Sequence, residues 1–186
     1  MTVHWFGPKA SASKGAGHPV MFGFAPALEF EAMPDGGGYP IGFLAEAYRL
    51  IRASNPDEVL HLCSGSTRRG IRVDIRREMR PTVVADARNT PFRGETFSAI
   101  LIDPPYSEEY ARNLYGTSYP RPNELMREAA RLLTPGGRVG LLHFQVPMLH
   151  RTNLRMIGVW GVTTGSGYAI RAFTVCEKSA QLEAAL

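Results

Sequence analysis

Apolar residues recur at helical spacing in two stretches of the chain. The first predicts an amphipathic helix over about 41–53, ended by Asn55-Pro56-Asp57, which cannot continue a helix. The second predicts a helix over about 123–133, ended by Pro135-Gly136-Gly137. The apolar positions of the first helix are Phe43, Leu44, Ala47, Leu50 and Ile51.

The other apolar runs are short and predict β-strands. They cover residues 58–63, 71–75, 81–85, 97–102, 138–144, 154–163 and 169–176. Gly165-Ser166-Gly167 joins the last two runs and predicts a hairpin. Strands that alternate with helices and end in a hairpin indicate an α/β fold. The predicted sheet is mainly parallel, with an antiparallel C-terminal hairpin and one reversed strand at its edge.

The first part of the chain lacks this pattern. Residues 1–38 are rich in glycine, proline and alanine and predict an N-terminal arm and loop, with one short strand or hairpin over 21–30. The predicted domain therefore covers 39–186. Within it, only residues 66–70 separate the first two strands, although a parallel crossover normally needs a dozen or more residues. Either the second strand is misplaced or the usual crossover helix is missing.

Composition narrows the classes of protein that this chain can belong to. Its 186 residues form one domain, and no apolar run is long enough to span a membrane. Two cysteines, Cys63 and Cys176, are too few for a disulfide framework and favour a cytoplasmic location. The five histidines show no metal-ligand spacing, so no metal site is expected. The net charge of +4 comes mainly from arginine, which suits a phosphate-bearing partner.

Small and acidic residues follow four of the predicted strands. They are the turn Cys63-Ser64-Gly65-Ser66, the acids Asp74 and Asp86, and the segment Asp103-Pro104-Pro105-Tyr106. In a parallel sheet these strand ends share one edge, where ligands bind. Glycine permits close approach of a ligand, and strand-end carboxylates can accept hydrogen bonds from ribose hydroxyls or from an adenine amine. The sequence therefore predicts a ligand site at this edge, and these residue types would suit an adenosyl compound.

The segment 103–106 resembles the DPPY motif of class I S-adenosylmethionine-dependent methyltransferases that modify exocyclic amino groups of nucleobases. Residues 60–66 look like the cofactor-binding glycine loop of that family, and Asp74 and Asp86 stand where its ribose and adenine acids are expected. Residues 39–43 are similar to the segment that helps to hold the methionine end of the cofactor in some of these enzymes. The resemblance covers about 39–178 and implies a Rossmann-like class I methyltransferase fold.

The resemblance also implies roles for individual residues. Catalysis would rest on Asp103, Pro104, Pro105 and Tyr106. S-adenosyl-L-methionine would be bound by Tyr39, Pro40, Gly42, Phe43, Cys63, Gly65, Ser66, Asp74, Asp86, Ala87 and Asp103. The target amine would donate to the Asp103 carboxylate and the Pro104 carbonyl, while Tyr106 would stack on the base. The implied reaction is N-methylation of a nucleobase, with adenine in DNA as the first candidate.

An arginine-rich stretch supplies candidate contacts to nucleic acid. The expected set is Arg68, Arg69, Arg76, Arg77 and Tyr110. Since the predicted core leaves little chain for a recognition domain, a homodimer or a separate specificity partner is a further expectation. Two alternatives remain. One is an RNA guanine or adenine N-methyltransferase. The other, favoured by the missing crossover helix, is a nucleic-acid-binding protein with a degenerate methyltransferase fold.

Overall fold

A computed structural model of the protein describes residues 4–6, 39–40, 42–163 and 169–180. The strands are β1 (His4–Phe6), β2 (Leu60–Leu62), β3 (Ile71–Asp74), β4 (Val83–Val84), β5 (Phe97–Ile102), β6 (Leu133–His143), β7 (Leu154–Thr163) and β8 (Arg171–Lys178). The α-helices are α1 (Phe43–Leu50), α2 (Glu108–Tyr115) and α3 (Pro122–Leu132). The predicted helices and strands therefore exist, with bounds shifted by a few residues. The predicted hairpin turn and the run over 21–30 lie outside the described residues.

The strands form one eight-stranded sheet in the order β1-β7-β8-β6-β5-β2-β3-β4. Strands β4, β3, β2, β5 and β6 pair in parallel, whereas β8 is antiparallel to both β6 and β7. Without β1, this is the 3-2-1-4-5-7-6 order of the class I methyltransferase fold, which confirms the predicted fold class.

The position of the reversed strand was predicted wrongly. Strand β8 lies inside the sheet, between β6 and β7, and not at its edge. Four consecutive residues of β8, Phe173 to Cys176, are buried, as expected for a strand with neighbours on both sides. Strand β1 pairs with β7 at residues 161–163 and extends the sheet by one strand that the apolar pattern does not predict.

Each face of the sheet has its own apolar core. On one face α1 buries Phe43, Ala47 and the following Ile51 against β5, β6, β7 and β8, and the Phe43 ring meets Phe173 edge to face. On the other face α3 buries Leu125, Met126 and neighbouring side chains against β2, β5 and β6. No helix in the described part of the chain is long and apolar enough to cross a membrane.

Of the two alternatives for the first crossover, the missing helix is correct and the second strand is not misplaced. Residues 63–70 connect β2 to the parallel strand β3 without a helix, and 75–82 connect β3 to β4 with only a short 3-10 turn at Arg77–Met79. Hydrogen bonds from arginine side chains to backbone carbonyls tie these loops together: Arg68 donates to the Met79 carbonyl and Arg72 to that of Arg80. Here arginine satisfies backbone acceptors that a crossover helix would satisfy internally.

Gly70 makes the short crossover possible. Its φ is +74°, and a Cβ atom at this position would lie 2.4 Å from the Val59 carbonyl oxygen and 2.8 Å from the His61 ring. Any side chain would therefore combine left-handed backbone strain with overlap against a fixed strand.

We expect Gly70→Ala to lower the free energy of unfolding by about 1–3 kcal/mol through overpacking, in addition to the cost of its left-handed backbone. Gly136→Ala is the matched control, because its φ is +77° but no atom lies within 4 Å of the added Cβ. Urea unfolding of both variants measures the difference. Equal losses would show that the crossover tolerates a side chain.

Candidate active site at the sheet edge

Two of the four predicted strand-end segments, the turn after β2 and residues 103–106, meet in a cavity at the carboxyl edge of the sheet. It holds about 280 Å³ and is lined by Tyr39, Cys63, Ser64, Gly65, Asp103, Pro104, Pro105, Tyr106, Tyr110, Tyr115 and Arg171. Five parts of the chain converge here: the segment before α1, the loop after β2, the loop after β5, helix α2 and the start of β8. The cavity therefore combines backbone groups, aromatic rings, one carboxylate and one guanidinium.

A short hydrogen-bond chain crosses this cavity. The Tyr106 hydroxyl donates to Asp103 Oδ1 at 2.5 Å and accepts from the Arg171 guanidinium at 2.7 Å. The Tyr106 ring contacts Phe144 and His143 edge to face, with centroids 4.9 and 5.6 Å apart. Both the hydroxyl and the ring of Tyr106 thus have partners, although the motif alone suggested only a free stacking face.

Burial raises the pKa of Asp103 from 3.8 to about 6, while the hydrogen bond from Tyr106 and the charge of Arg171 act in the opposite direction. Asp103 follows strand β5, whose last residues are fully buried, so water reaches its carboxylate poorly. A carboxyl group with this pKa can both accept hydrogen bonds as an anion and take up a proton near neutral pH.

Tyr39 connects the cavity to a buried histidine. Its hydroxyl lies 3.2 Å from His61 Nδ1, and the other ring nitrogen of His61 lies 3.4 Å from the Tyr48 hydroxyl. Burial lowers the pKa of His61 to about 4, so the ring is neutral at physiological pH. This arrangement fixes the Tyr39 ring, which also stacks on Phe43 at 5.4 Å.

The glycine loop is held by a buried carboxylate. Asp74 accepts the backbone N–H of Gly65 at 2.8 Å and that of Arg76 at 2.9 Å. In the same loop, the buried Ser64 hydroxyl has no hydrogen-bond partner among the described residues, and Ser64 lines the cavity. An unpaired buried hydroxyl costs free energy unless a ligand or water satisfies it, so this atom marks a binding position.

A second, smaller cavity adjoins the first and shares Cys63, Pro105 and Tyr115 with it. Its volume of about 40 Å³ leaves room for only a few water molecules. The remaining lining residues are Asp74, Ile75, Ala85, Asp86, Ala87, Arg88, Thr117, Ser118 and Pro120. The guanidinium of Arg88 forms a two-pronged ion pair with Asp86, with the shortest contact at 2.6 Å, and donates to Ser118 at 2.9 Å. This bridge narrows the cavity.

The predicted site residues separate into three groups. Tyr39, Cys63, Gly65, Asp74, Asp86, Ala87 and the segment 103–106 line one or both cavities. Phe43 does not reach them, because it lies fully buried beneath Tyr39, and Pro40 and Gly42 form the turn into α1. Ser66 lies in the loop beside the cavity without lining it.

The arginines expected to bind nucleic acid differ in their surroundings. Arg69 and Arg77 are exposed. Arg68 is exposed but bound to the Met79 carbonyl, and the Arg76 guanidinium stacks over the Tyr115 ring at 4.4 Å. Tyr110 lines the larger cavity and is 49% exposed. Arg69 and Arg77 are therefore the members of this set most accessible to phosphate.

Sequence reasoning missed three side chains that shape the site. Arg171 begins β8 and belongs to no motif, and Arg88 and Ser118 meet only in the folded chain. A polar residue at the start of an apolar strand beside the other strand ends was the only available signal for Arg171. Among the described residues, no cluster of histidine, cysteine and acidic side chains could hold a metal ion.

Solved structures share this fold at low sequence identity. TrmN from Thermus thermophilus matches with a TM-score of 0.52 and 24% identity over 72% of this chain, which spans 47% of TrmN. A chain in the complex of the Haloferax volcanii Trm112 methyltransferase activator with a methyltransferase matches with a TM-score of 0.52 and 13% identity, over 75% of this chain and 89% of that one.

The [4+2]-cyclase SpnF is similar to the same degree, with a TM-score of 0.51 and 11% identity over 83% of this chain and 88% of its own. No protein-family model and no curated protein matches the sequence. These likenesses show the class I methyltransferase fold. Since a cyclase also has that fold, the reaction has to be argued from the site.

The titration of Asp103 is the direct test of the site's electrostatics. Carbon NMR of the labelled carboxyl groups should show Asp103 ionising near pH 6. Tyr106→Phe should move this midpoint upward, because the variant loses a hydrogen bond that favours the ionised form. A midpoint near 4, unchanged in the variant, would mean that the carboxylate is well hydrated and that Tyr106 does not bind it.

Proposed function

We propose that this protein is an S-adenosylmethionine-dependent methyltransferase that acts on an exocyclic amino group of a nucleobase, with adenine in DNA as the first substrate. The observation that carries the proposal is the position of Asp103-Pro104-Pro105-Tyr106 at the end of β5, in a cavity that also contains the glycine loop. The choice of adenine and DNA follows from the resemblance of this segment to the DPPY motif.

The residues present are compatible with the cofactor. The unpaired Ser64 hydroxyl and the backbone at Gly65 would hold its methionine end beside Tyr39. The adenosine would occupy the adjoining cavity, where Ile75 and Ala87 offer apolar contacts and Asp86 an acceptor for the adenine amine. The cavity is too small for adenosine while Arg88 bridges Asp86 and Ser118, so cofactor binding requires that bridge to open.

When bound, the cofactor would supply an electrophilic methyl group. The amine nitrogen would form the new N–C bond as the S–C bond breaks and its electron pair passes to sulfur. The nitrogen would then lose one proton. Asp103 accepts a hydrogen bond from the amine and localises the nitrogen lone pair that ring conjugation delocalises. Pro104 and Pro105 stiffen the loop that carries this carboxylate, so the acceptor is in place before the reaction. Because its pKa is about 6, Asp103 is also suited to receive the departing proton.

Exposed aromatic and basic side chains support a nucleic-acid substrate. Tyr110 lines the cavity, and Phe144, 48% exposed, packs against Tyr106, so both rings are available for stacking on unpaired bases. Arg77 is exposed in the loop after β3, at the same sheet edge, where it can contact phosphates, whereas the exposed Arg69 precedes β3 at the other end of the strands. A base in a duplex would have to be flipped into the cavity. A second subunit or a specificity partner would supply sequence recognition.

RNA is the alternative substrate, because nothing in the cavity distinguishes a ribose from a deoxyribose. Transfer of tritiated methyl groups to DNA, RNA and free nucleosides, followed by nucleoside analysis, distinguishes the two polymers.

The short crossover loops favour a different alternative, a nucleic-acid-binding protein that has lost the cofactor. Calorimetry with S-adenosylmethionine separates that class from an enzyme.

S-adenosylmethionine should bind the wild-type protein, and Asp86→Ala should weaken the affinity by about tenfold, the effect of losing one hydrogen bond to a charged acceptor. Thermal stability should change little, because Asp86 lies outside the apolar cores. Asp57→Ala removes the same charge from an exposed turn and serves as the control. Full affinity in Asp86→Ala would remove this residue from the site, and no binding by the wild type would favour the binding-protein alternative.

Asp103→Ala should reduce methyl transfer by about a hundred- to a thousandfold while cofactor binding persists, since the carboxylate acts mainly in the transition state. In the wild type the rate should rise with pH through a single ionisation near 6 and then level off, because only the ionised form of Asp103 accepts the amine hydrogen bond. Rapid-quench assays between pH 5 and 8 measure both effects. A rate that falls as pH rises through 6 would assign the protonated form to catalysis.

Affinity for nucleic acid should fall with salt in proportion to the number of phosphate contacts. Replacing Arg77 by glutamine should lower the slope of log affinity against log salt by up to about 1. Arg93→Gln is the control, because this exposed arginine precedes β5 at the opposite end of the strands. Binding isotherms at several salt concentrations give the slopes. An unchanged slope in Arg77→Gln would leave this arginine without a role in binding.

A further inference from the structure

Arg171 is a cation in the larger cavity, the one that contains Asp103. Among the described residues no carboxylate lies within ion-pair distance of it, although arginines elsewhere on the sheet, such as Arg138, pair with acids. Its contacts are with Tyr106: one hydrogen bond to the hydroxyl, and a guanidinium carbon 5.7 Å from the ring centroid. A half-buried guanidinium with one neutral acceptor retains several donors for a ligand.

The Tyr106 hydroxyl shows what kind of group this position accepts. It is a donor toward Asp103 and an acceptor toward Arg171 at the same time. Carboxylate and guanidinium therefore converge on one small group, which has to present a donor and an acceptor side by side. The hydroxyl meets this requirement without a ligand, and it belongs to the ring that the motif assigns to base stacking.

We propose that Arg171 is a specificity-determining residue that donates to the ring nitrogen beside the target amine, while Asp103 accepts from the amine itself. The inference rests on the proposed function. An amino group next to an unprotonated ring nitrogen is a donor beside an acceptor, and it can replace the Tyr106 hydroxyl between the two charged groups. The released tyrosine is then free to stack on the base.

This requirement selects among nucleobase edges. Adenine offers its N6 amine beside N1 or N7, and cytosine offers N4 beside N3. Guanine offers its N2 amine beside N3, whereas its O6–N7 edge presents acceptors only and would leave Asp103 without a donor. Thymine and uracil have no amino group. The pair Asp103 and Arg171 therefore favours an amine beside an unprotonated ring nitrogen and opposes binding of an edge that has two acceptors.

The test measures binding without the cofactor. A single-stranded DNA oligonucleotide with one adenine among thymines is compared with the same strand carrying 1-deazaadenine or 7-deazaadenine, each of which lacks one ring acceptor. Fluorescence anisotropy gives the affinities of the wild type, of Arg171→Met, and of Arg93→Met as a control for charge. Arg171→Lys, which retains a donor, tests for partial rescue.

We expect one of the two analogues to bind the wild type about tenfold more weakly than adenine, the effect of one lost hydrogen bond to a charged donor. Arg171→Met should bind the adenine strand about tenfold more weakly than the wild type does, and it should bind the strand with that analogue equally weakly. The loss caused by the substitution and the loss caused by the analogue therefore do not add. Arg93→Met should discriminate as the wild type does, and Arg171→Lys should recover part of the preference.

Equal binding of adenine and both analogues by the wild type would overturn the inference. It would also be overturned if Arg171→Met still bound the analogue about tenfold more weakly than adenine. A loss of S-adenosylmethionine affinity in Arg171→Met, with base discrimination intact, would also overturn it and assign Arg171 to the cofactor's carboxylate. The proposed function fails separately, if no methyl group is transferred to any base by the wild-type protein.

Discussion

The buried carboxylate of Asp74 holds together the part of the molecule on which the site depends. Its two oxygens accept backbone N–H groups from the loop after β2 and from the loop after β3, at Gly65 and Arg76. Both loops connect parallel strands without a helix, so this carboxylate, together with a few other side-chain and backbone hydrogen bonds, compensates for the missing packing. Charged acceptors form stronger hydrogen bonds than neutral ones, which suits a single residue that has to fix two turns.

The same shortage of helices explains why arginine is concentrated between residues 68 and 80. Arg68 and Arg72 satisfy backbone carbonyls, and Arg76 covers the Tyr115 ring beside the smaller cavity. A high arginine content is therefore only partly a sign of a polyanionic partner. Arginines with structural partners and exposed arginines lie in one short stretch, and only burial, partners and position in the sheet separate them. This is why the proposed salt dependence of binding is attributed to Arg77.

Much of the fold follows from the sequence, because apolar runs of five or more residues and the helical spacing around Phe43 leave few alternatives. The short crossover was also visible from the spacing of two strands. Strand β1 was not, because its three residues form no pattern of their own and join the sheet by pairing with β7, far along the chain. The order of the last two strands depends on which one contacts β6. The run from Phe173 to Cys176, in which Thr174 is the one polar residue, was a usable signal that β8 is the inner strand.

The candidate site shows a different limit of sequence reasoning. The location of residues that follow strands could be predicted, because the carboxyl ends of parallel strands lie at one edge of the sheet however far apart they are in the chain. The partners of those residues could not be predicted. Asp103 accepts from the Tyr106 hydroxyl, which itself accepts from Arg171, and Asp86 pairs with Arg88. Each of these contacts occupies a group that the motif assigns to a ligand. Binding in both cavities therefore exchanges an internal hydrogen bond for one to a ligand, and net affinity depends on how well the ligand matches the contact it replaces. A site with this property would select its ligand by complementarity at a few charged atoms.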